Sequence, residues 1–217
     1  MKTITVKGEG SVSVKPDSIV ISMRMETVNK EYEKTMDYAA QRISLINDSL
    51  VELGFEKNTV KTTDFNVHTS YDSVKDSNGD YKRVFKGYVS SHSLKVEFDF
   101  DTKMLAKVIA ALTMSYAYPE FNIMFTVKDE SAVNGELLKS AAKNAREKAE
   151  ILCAASGATL GELVSIDYNW GEVEFYSGTN YMLDSCVMSK PECLSDIDIQ
   201  PDDIKKRDTA TFVWEIL

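Results

Sequence analysis

Long apolar runs are missing from this chain: no stretch approaches the ~18 consecutive apolar residues that a membrane-spanning helix requires. Basic clusters are scarce as well. Lys205, Lys206 and Arg207 form the one tight basic run, among Asp202, Asp203 and Asp208, and the formal net charge is −9. Binding to a phosphate backbone needs clustered cations, so nucleic acid is not expected as a partner. The run is expected to be a solvated loop. Cysteine is too sparse for a disulfide framework. Cys153 lies in an alanine-rich helical run and reads as a small core residue, while Cys186 and Cys193 share a polar loop. That pair is read either as a bridge, in an oxidising compartment, or as free thiols in the cytosol. No basic region with an apolar run follows Met1, since Ile4, Thr5 and Val6 already read as strand. As written the chain is expected to be cytoplasmic, and exported or in the cell envelope if a native leader was removed.

What is present is regular periodicity over most of 217 residues, 43% of them hydrophobic, which suffices for one large domain or two small ones. A strand is expected over Thr3–Val14, where Gly8-Glu9-Gly10 signals a bulge or a close backbone approach. Pro16-Asp17 makes a turn, and Ile19, Ile21, Met23 and Met25 mark one face of a second strand. Asn29 is the expected cap of a helix reaching about Leu53, with the stripe Met36, Ala39, Ala40, Ile43, Ile46, Leu50 and Leu53 and a stop at Gly54. Strands over about 60–74 and 81–100 flank Asn78-Gly79, a strong hairpin signal, and Gly87 suggests a bulge. Asp101 or Thr102 caps a helix through Leu105, Val108, Ile109 and Leu112. The row Phe121, Ile123, Phe125 and Val127 is a further strand. A third helix spans about 131–156 on the face Leu138, Ala141, Ala142, Ala145, Ala149 and Leu152. Strands at Leu163–Tyr168 and Ala210–Ile216 complete the pattern.

Between Gly171 and Arg207 the periodicity fails, which inside a compact domain marks a functional or disordered segment. Phe175, Tyr176, Tyr181, Met182, Leu183 and Met188 make it too apolar for a plain linker. Three readings stand: a loop folded back on its own domain, an arm packed on a neighbouring subunit, or disorder. With Trp170, those six residues are the candidate interface.

No catalytic signature emerges. His68 and His92 lie in the two arms of the expected hairpin and could meet across it. Asp64 and Asp99 are the nearest further metal ligands, but the spacing fits no zinc pattern. Ser90, Ser91 and Ser93 lack a nucleophile-elbow context for a serine–histidine triad. Gly8-Glu9-Gly10 lacks the third glycine and following helix of a dinucleotide loop. Asp196, Asp198, Asp202 and Asp203 lack calcium-loop spacing. No catalytic, metal or cofactor residue is therefore assigned, and no enzyme activity is expected.

The landmarks in order are Gly8-Glu9-Gly10, Pro16-Asp17, Thr62-Thr63-Asp64-Phe65 and Gly87-Tyr88. The helix Ala141-Ala142-Lys143-Asn144-Ala145-Arg146-Glu147-Lys148-Ala149 follows, then Gly157 and Leu160-Gly161. This series resembles the SIMPL-domain family, bacterial periplasmic immunogenic and oxidative-stress-related proteins without a defined molecular function. The resemblance implies a homo-oligomer of ring or channel type and supplies no catalytic residues. The expected fold is α+β: an antiparallel-rich sheet with a ferredoxin-like βαββαβ core, an extra long helix and added N- and C-terminal strands. The chain is expected to be a single domain, 1–217, with an irregular insertion at about 171–207. Its expected role is structural, scaffold or stress-related self-assembly. The alternative is a small-ligand or metal-binding module with a pocket between sheet and helices, its ligand unknown.

Overall fold

The computed structural model describes residues 2–75, 80–168, 173–179 and 200–217. In chain order the elements begin with β1 (Thr3–Val14), β2 (Ser18–Asn29), α1 (Tyr32–Glu52), β3 (Lys61–Lys75) and β4 (Tyr81–Asp99). They continue with α2 (Thr102–Met114), β5 (Glu120–Thr126), α3 (Glu130–Ala155), β6 (Leu160–Asp167) and β7 (Ile204–Ile216). The chain divides into two compact units, one spanning Ser18–Met124 and the other built on the two ends of the chain with Phe125–Thr179.

The Ser18–Met124 unit is the expected βαββαβ core. Its strands lie in the order β3-β4-β2-β5, so the unit's first strand sits between its third and fourth, as the split βαβ arrangement requires. β2 pairs antiparallel with β4 from Ser18↔Asp99 to Asn29↔Tyr88. The alternation in β2 is satisfied: Ile19, Ile21, Met23 and Met25 are buried, with Leu94 and Val96 beside them on β4. The helices of this unit contribute Ala39, Ile46 and Leu50 from α1, and Leu105, Val108, Ile109 and Leu112 from α2. Asp101 caps α2, its carboxylate accepting from the N–H groups of Lys103 and Met104. Asn29 does not cap α1. It stands in β2 and its side chain accepts from the N–H of Glu31, the residue that precedes the helix. Ala40 of the expected stripe is exposed. Gly54, at φ 96°, closes α1 by donating to Val51 O. Gly87 sits at the register shift between Ser70 and Tyr71, at φ 157°, and a side chain there would strike Asn29 O. The Asn78-Gly79 turn lies outside the described residues, but β3 and β4 pair antiparallel up to Lys75↔Tyr81, so the hairpin itself is present.

The added strands do not extend that sheet. They form a second one, ordered β1-β7-β6, with β7 antiparallel to both neighbours. β7 begins at Ile204, so Lys205, Lys206 and Arg207 belong to a strand and not to a solvated loop. They pair with Ser13, Val12 and Ser11, and Arg207 meets Glu9 at 3.4 Å. The expected strand at Ala210–Ile216 is its second half, and alternation hid the first half because its charges sit beside a β1 rich in serine and glycine.

α3 lies along β1. Of the two readings of Gly8-Glu9-Gly10, close approach is the one found: the β1–β7 register runs unbroken from Thr3 to Val14. A Cβ on Gly8 would come within 2.7 Å of Ala145 Cβ, and one on Gly10 would run into the α3 backbone at Leu137. The buried row of α3 is Leu137, Ala141, Ala145, Ala149 and Cys153. The expected face was rotated slightly, since Ala142 and Leu152 are exposed and Leu138 is only half-buried. Small side chains at steps of four let the helix descend onto the two glycines. Trp214 stacks on Phe212 at 5.5 Å in this core, as its place on the apolar face of the last strand predicts.

Candidate functional site

The candidate interface residues separate. Phe175 is 1% exposed and packs with Val127 and Ile204 inside the unit formed by the chain ends. Its carbonyl accepts from Thr126 Oγ1 at 2.6 Å, and Ser177 N donates to Phe125 O at 2.8 Å. Residues 173–179, the first described part of the insertion, therefore fold back on their own unit and cover the end of β5, and residues 204–207 open β7. Tyr176 is 37% exposed and bridges Thr126. Trp170, Tyr181, Met182, Leu183 and Met188 lie outside the described residues, as do Cys186 and Cys193. Cys153 is buried, as expected of a small core residue.

The two histidines do not meet. His92 opposes Phe65 and His68 opposes Val89, which by strand alternation puts them on opposite faces of the hairpin. No cluster of metal-ligating side chains is found among the described residues. His92 Nε2 lies 3.0 Å from Thr62 Oγ1, and its ring rests on Phe65 at 4.9 Å. Burial pulls the His92 pKa below its ordinary value, with Asp64 opposing. Nδ1 of His92 and Oγ of Ser90, two residues away on the same face, are both buried without a hydrogen-bond partner. Residues two apart on a strand are roughly 6.6 Å apart, too far for a direct proton transfer. A hydroxyl–imidazole contact without a group to orient the ring is an incomplete catalytic set.

A more developed site lies where α1 meets the connection between α2 and β5. Arg42 projects from α1 and makes five hydrogen bonds. Nε and an Nη donate to Ala117 O at 2.9 and 2.7 Å, and that Nη also reaches Tyr118 O at 3.4 Å. The other Nη donates to Glu26 O and to Thr27 Oγ1. Partial burial lowers the Arg42 pKa from its ordinary value, and the guanidinium remains charged. Ala117 is wholly buried, while Tyr116 and Tyr118 on either side are 76% and 64% exposed. Both tyrosines have left-handed backbones, at φ 57° and 47°, and their rings meet edge to face at 6.4 Å. Beside them is a cavity of about 300 Å³ lined by Arg24, Met25, Glu26, Arg42, Tyr118 and Glu120. The periodicity of α1 gave no reason to single out Arg42. The one available signal was Tyr116-Ala117-Tyr118-Pro119, two exposed aromatics in a connection without glycine.

A larger open groove of about 810 Å³ runs between the end of α3 and β6. Its charged lining is largely satisfied, with Arg146 and Glu150 paired at 2.9 Å.

Among the described residues β3, β5 and β6 are edge strands with no further strand paired outside them, apart from the single bridge of Thr126 at the end of β5 to Tyr176. β3 is an edge strand of 15 residues with none buried. The ribbon it makes with β4 exposes Phe65, Tyr71, Val74, Tyr81, Val84 and Phe85. Aromatic contacts run along it, Tyr71–Phe85 at 5.8 Å and Phe85–Tyr88 at 5.4 Å, with the Arg83 guanidinium 4.7 Å from the Tyr71 ring. β6 is the edge strand of the second sheet and exposes Leu163, Val164 and Ile166. The outer edge of β1 is closed by α3. Asn144 Oδ1 accepts from Glu9 N at 2.9 Å, Ser140 Oγ from Ser11 N at 3.3 Å, and Lys148 Nζ donates to Lys7 O.

Residues 4–214 match the pattern of SIMPL, described as a protein of unknown function (DUF541). The chain belongs to the SIMPL family. Two curated relatives are 26 kDa periplasmic immunogenic proteins. The one from Brucella melitensis biotype 1 is 28% identical over 166 residues, and the one from Brucella abortus strain S19 is 27% identical over the same length. The alignment covers 75% of this chain and 65% of each relative, just under two thirds of their length. Both relatives are named as periplasmic, and neither name states a reaction. In this SIMPL chain no described helix is long and apolar enough to cross a membrane.

Proposed function

We propose that this SIMPL protein is a non-enzymatic, self-assembling component of the cell envelope, built to join copies of itself through open strand edges. The observation that carries the reading is the β3–β4 ribbon: 15 residues of edge strand with no buried side chain and apolar groups on both faces. Beyond Asn29↔Tyr88, where β2 stops, β3 and β4 run on as a two-stranded ribbon, which is marginal on its own. A long edge with exposed apolar groups is a template for pairing with another chain. The closed edge of β1 supports the contrast, since there the chain covers its own backbone groups. The periplasmic names of the relatives favour the envelope over the cytoplasm, and the family resemblance implies rings or channels. Under this reading both units act together in each subunit as a single domain. Light scattering on the purified full-length chain at two concentrations is the test. A stable mass several times 24.3 kDa is expected, and a monomer at both concentrations overturns the reading.

The cavity at Arg42 favours a second reading, a small-ligand module with its pocket between sheet and helices. Ligand binding to the folded state raises thermal stability by mass action. A melting-temperature screen with metabolites should therefore give a specific shift that Glu120→Gln removes, and a flat screen counts against the module.

A further inference from the structure

We infer that the Tyr116–Tyr118 connection and its cavity form a binding site for a neutral saccharide, an inference that rests on the small-ligand reading of that cavity. The first observation is strain placed where packing does not reward it. Left-handed backbone is disfavoured for bulky residues, yet two tyrosines adopt it while 76% and 64% exposed. Strain of this kind survives only where the surroundings over-determine it. At Tyr118 Arg42 does so, gripping the carbonyls of Ala117 and Tyr118 on one side and of Glu26 on the other, whereas Tyr116 directly follows the C-cap of α2, where left-handed backbone is common. The backbone that carries the two rings is thus set before any ligand arrives, which lowers part of the ordering cost of binding.

The lining then selects the ligand. It carries two cations, Arg24 and Arg42, and two anions, Glu26 and Glu120, so a ligand with net charge gains no Coulombic surplus. An anion finds the Arg42 N–H groups already engaged and Arg24 paired with Glu26 at 2.9 Å. A metal ion finds two carboxylates among guanidinium groups. A purely apolar ligand finds Met25 and one face of Tyr118 and otherwise charge. A sugar ring suits all of it. Its hydroxyls donate to the Glu120 carboxylate, which has no partner among the described residues, and accept from the Arg24 N–H groups other than the Nη that holds Glu26. Its C–H face lies on the Tyr118 ring. About 300 Å³ is near the lower limit for ligand pockets, room for one ring and part of the next.

The test uses the full-length protein against immobilised neutral glycans, followed by titration calorimetry with the malto-, cello- or chito-oligosaccharide that is retained. Three variants are compared: Glu120→Gln, Tyr118→Ala and Tyr118→Gly. Each should weaken binding at least tenfold, while Tyr81→Ala, on the distant ribbon, should not. Glycine relaxes the left-handed backbone, so Tyr118→Gly should melt at a higher temperature than the parent while losing the sugar. A purely structural tyrosine would not separate the two effects. Retention of only charged glycans, or unchanged affinity in Glu120→Gln and Tyr118→Gly, overturns the inference. If no glycan binds but the metabolite screen gives a shift sensitive to Glu120→Gln, the saccharide assignment falls and the small-ligand reading stands. If neither binds, both fall.

Discussion

At the scale of single residues, Arg42 decides the local geometry most. Three carbonyl groups from two segments converge on one guanidinium, and only a planar fork of donors satisfies them together. Arg42→Met should destabilise the protein by about 2–3 kcal/mol, since hydrogen bonds to a charged group are lost and carbonyls are left unmatched. Arg42→Lys should recover little of this in chemical denaturation, because an ammonium has no fork. His92 gives a prediction in pH. Burial lowers its pKa in the folded state, so between that value and the ordinary 6.5 the unfolded chain binds more protons. Stability contributed by the neutral ring is complete above pH 6.5 and is lost as pH falls toward the folded pKa. Melting curves between pH 7.5 and 5 should show His92→Gln losing less stability on acidification than the parent. A parallel decline would remove His92 from the account. Neither behaviour was legible in sequence: Arg42 looks like one more polar position on an amphipathic helix, and His92 like one of a pair.

At the scale of elements, α3 and β1 act as one packed unit. Two rows on the helix, both at steps of four, divide the labour. Leu137, Ala141, Ala145, Ala149 and Cys153 press on the strand, and Ser140, Asn144 and Lys148 reach its outer edge. The approach is closest at the two glycines, where any Cβ meets helix backbone. Gly10→Ala should therefore cost about 1–3 kcal/mol in urea unfolding, as overpacking does. Gly135→Ala should cost nothing by the same mechanism, because open space surrounds that position. The glycine pair and the alanine run were both visible in the sequence, yet their contact was not. Period 3.6 left Leu137 and Leu138, or Cys153 and Leu152, as nearly equal choices for the buried face, and the strand it packs on broke the tie.

At the scale of the whole molecule, open edges and a net charge of −9 act in opposite senses: the edges invite pairing, and like charge limits indiscriminate association. Substituting the ribbon tests the balance. Tyr71→Lys with Phe85→Lys places cations in the exposed aromatic row without touching either core. The pair should lower the mass seen by light scattering while leaving the monomer's far-ultraviolet circular dichroism intact. An unchanged oligomer would move the contact to β6 or to the residues between 179 and 200.

Element types and their order were determined by the sequence alone, because hydrophobic period is a local property. β2 alternates at two and α1 at three and four, whatever surrounds them. The βαββαβ core was readable for that reason, and so was family membership, which depends on landmarks along the chain. The tertiary structure alone decided how the strands divide between two sheets, that the basic run at Lys205 continues β7, and that Phe175 is core. It also decided that His68 and His92 face apart and that Arg42 grips the connection carrying Tyr116 and Tyr118 through the Ala117 and Tyr118 carbonyls. Each of these depends on which distant segments become neighbours. Pairing, burial and charge satisfaction are properties of that neighbourhood, and no window along the chain contains it.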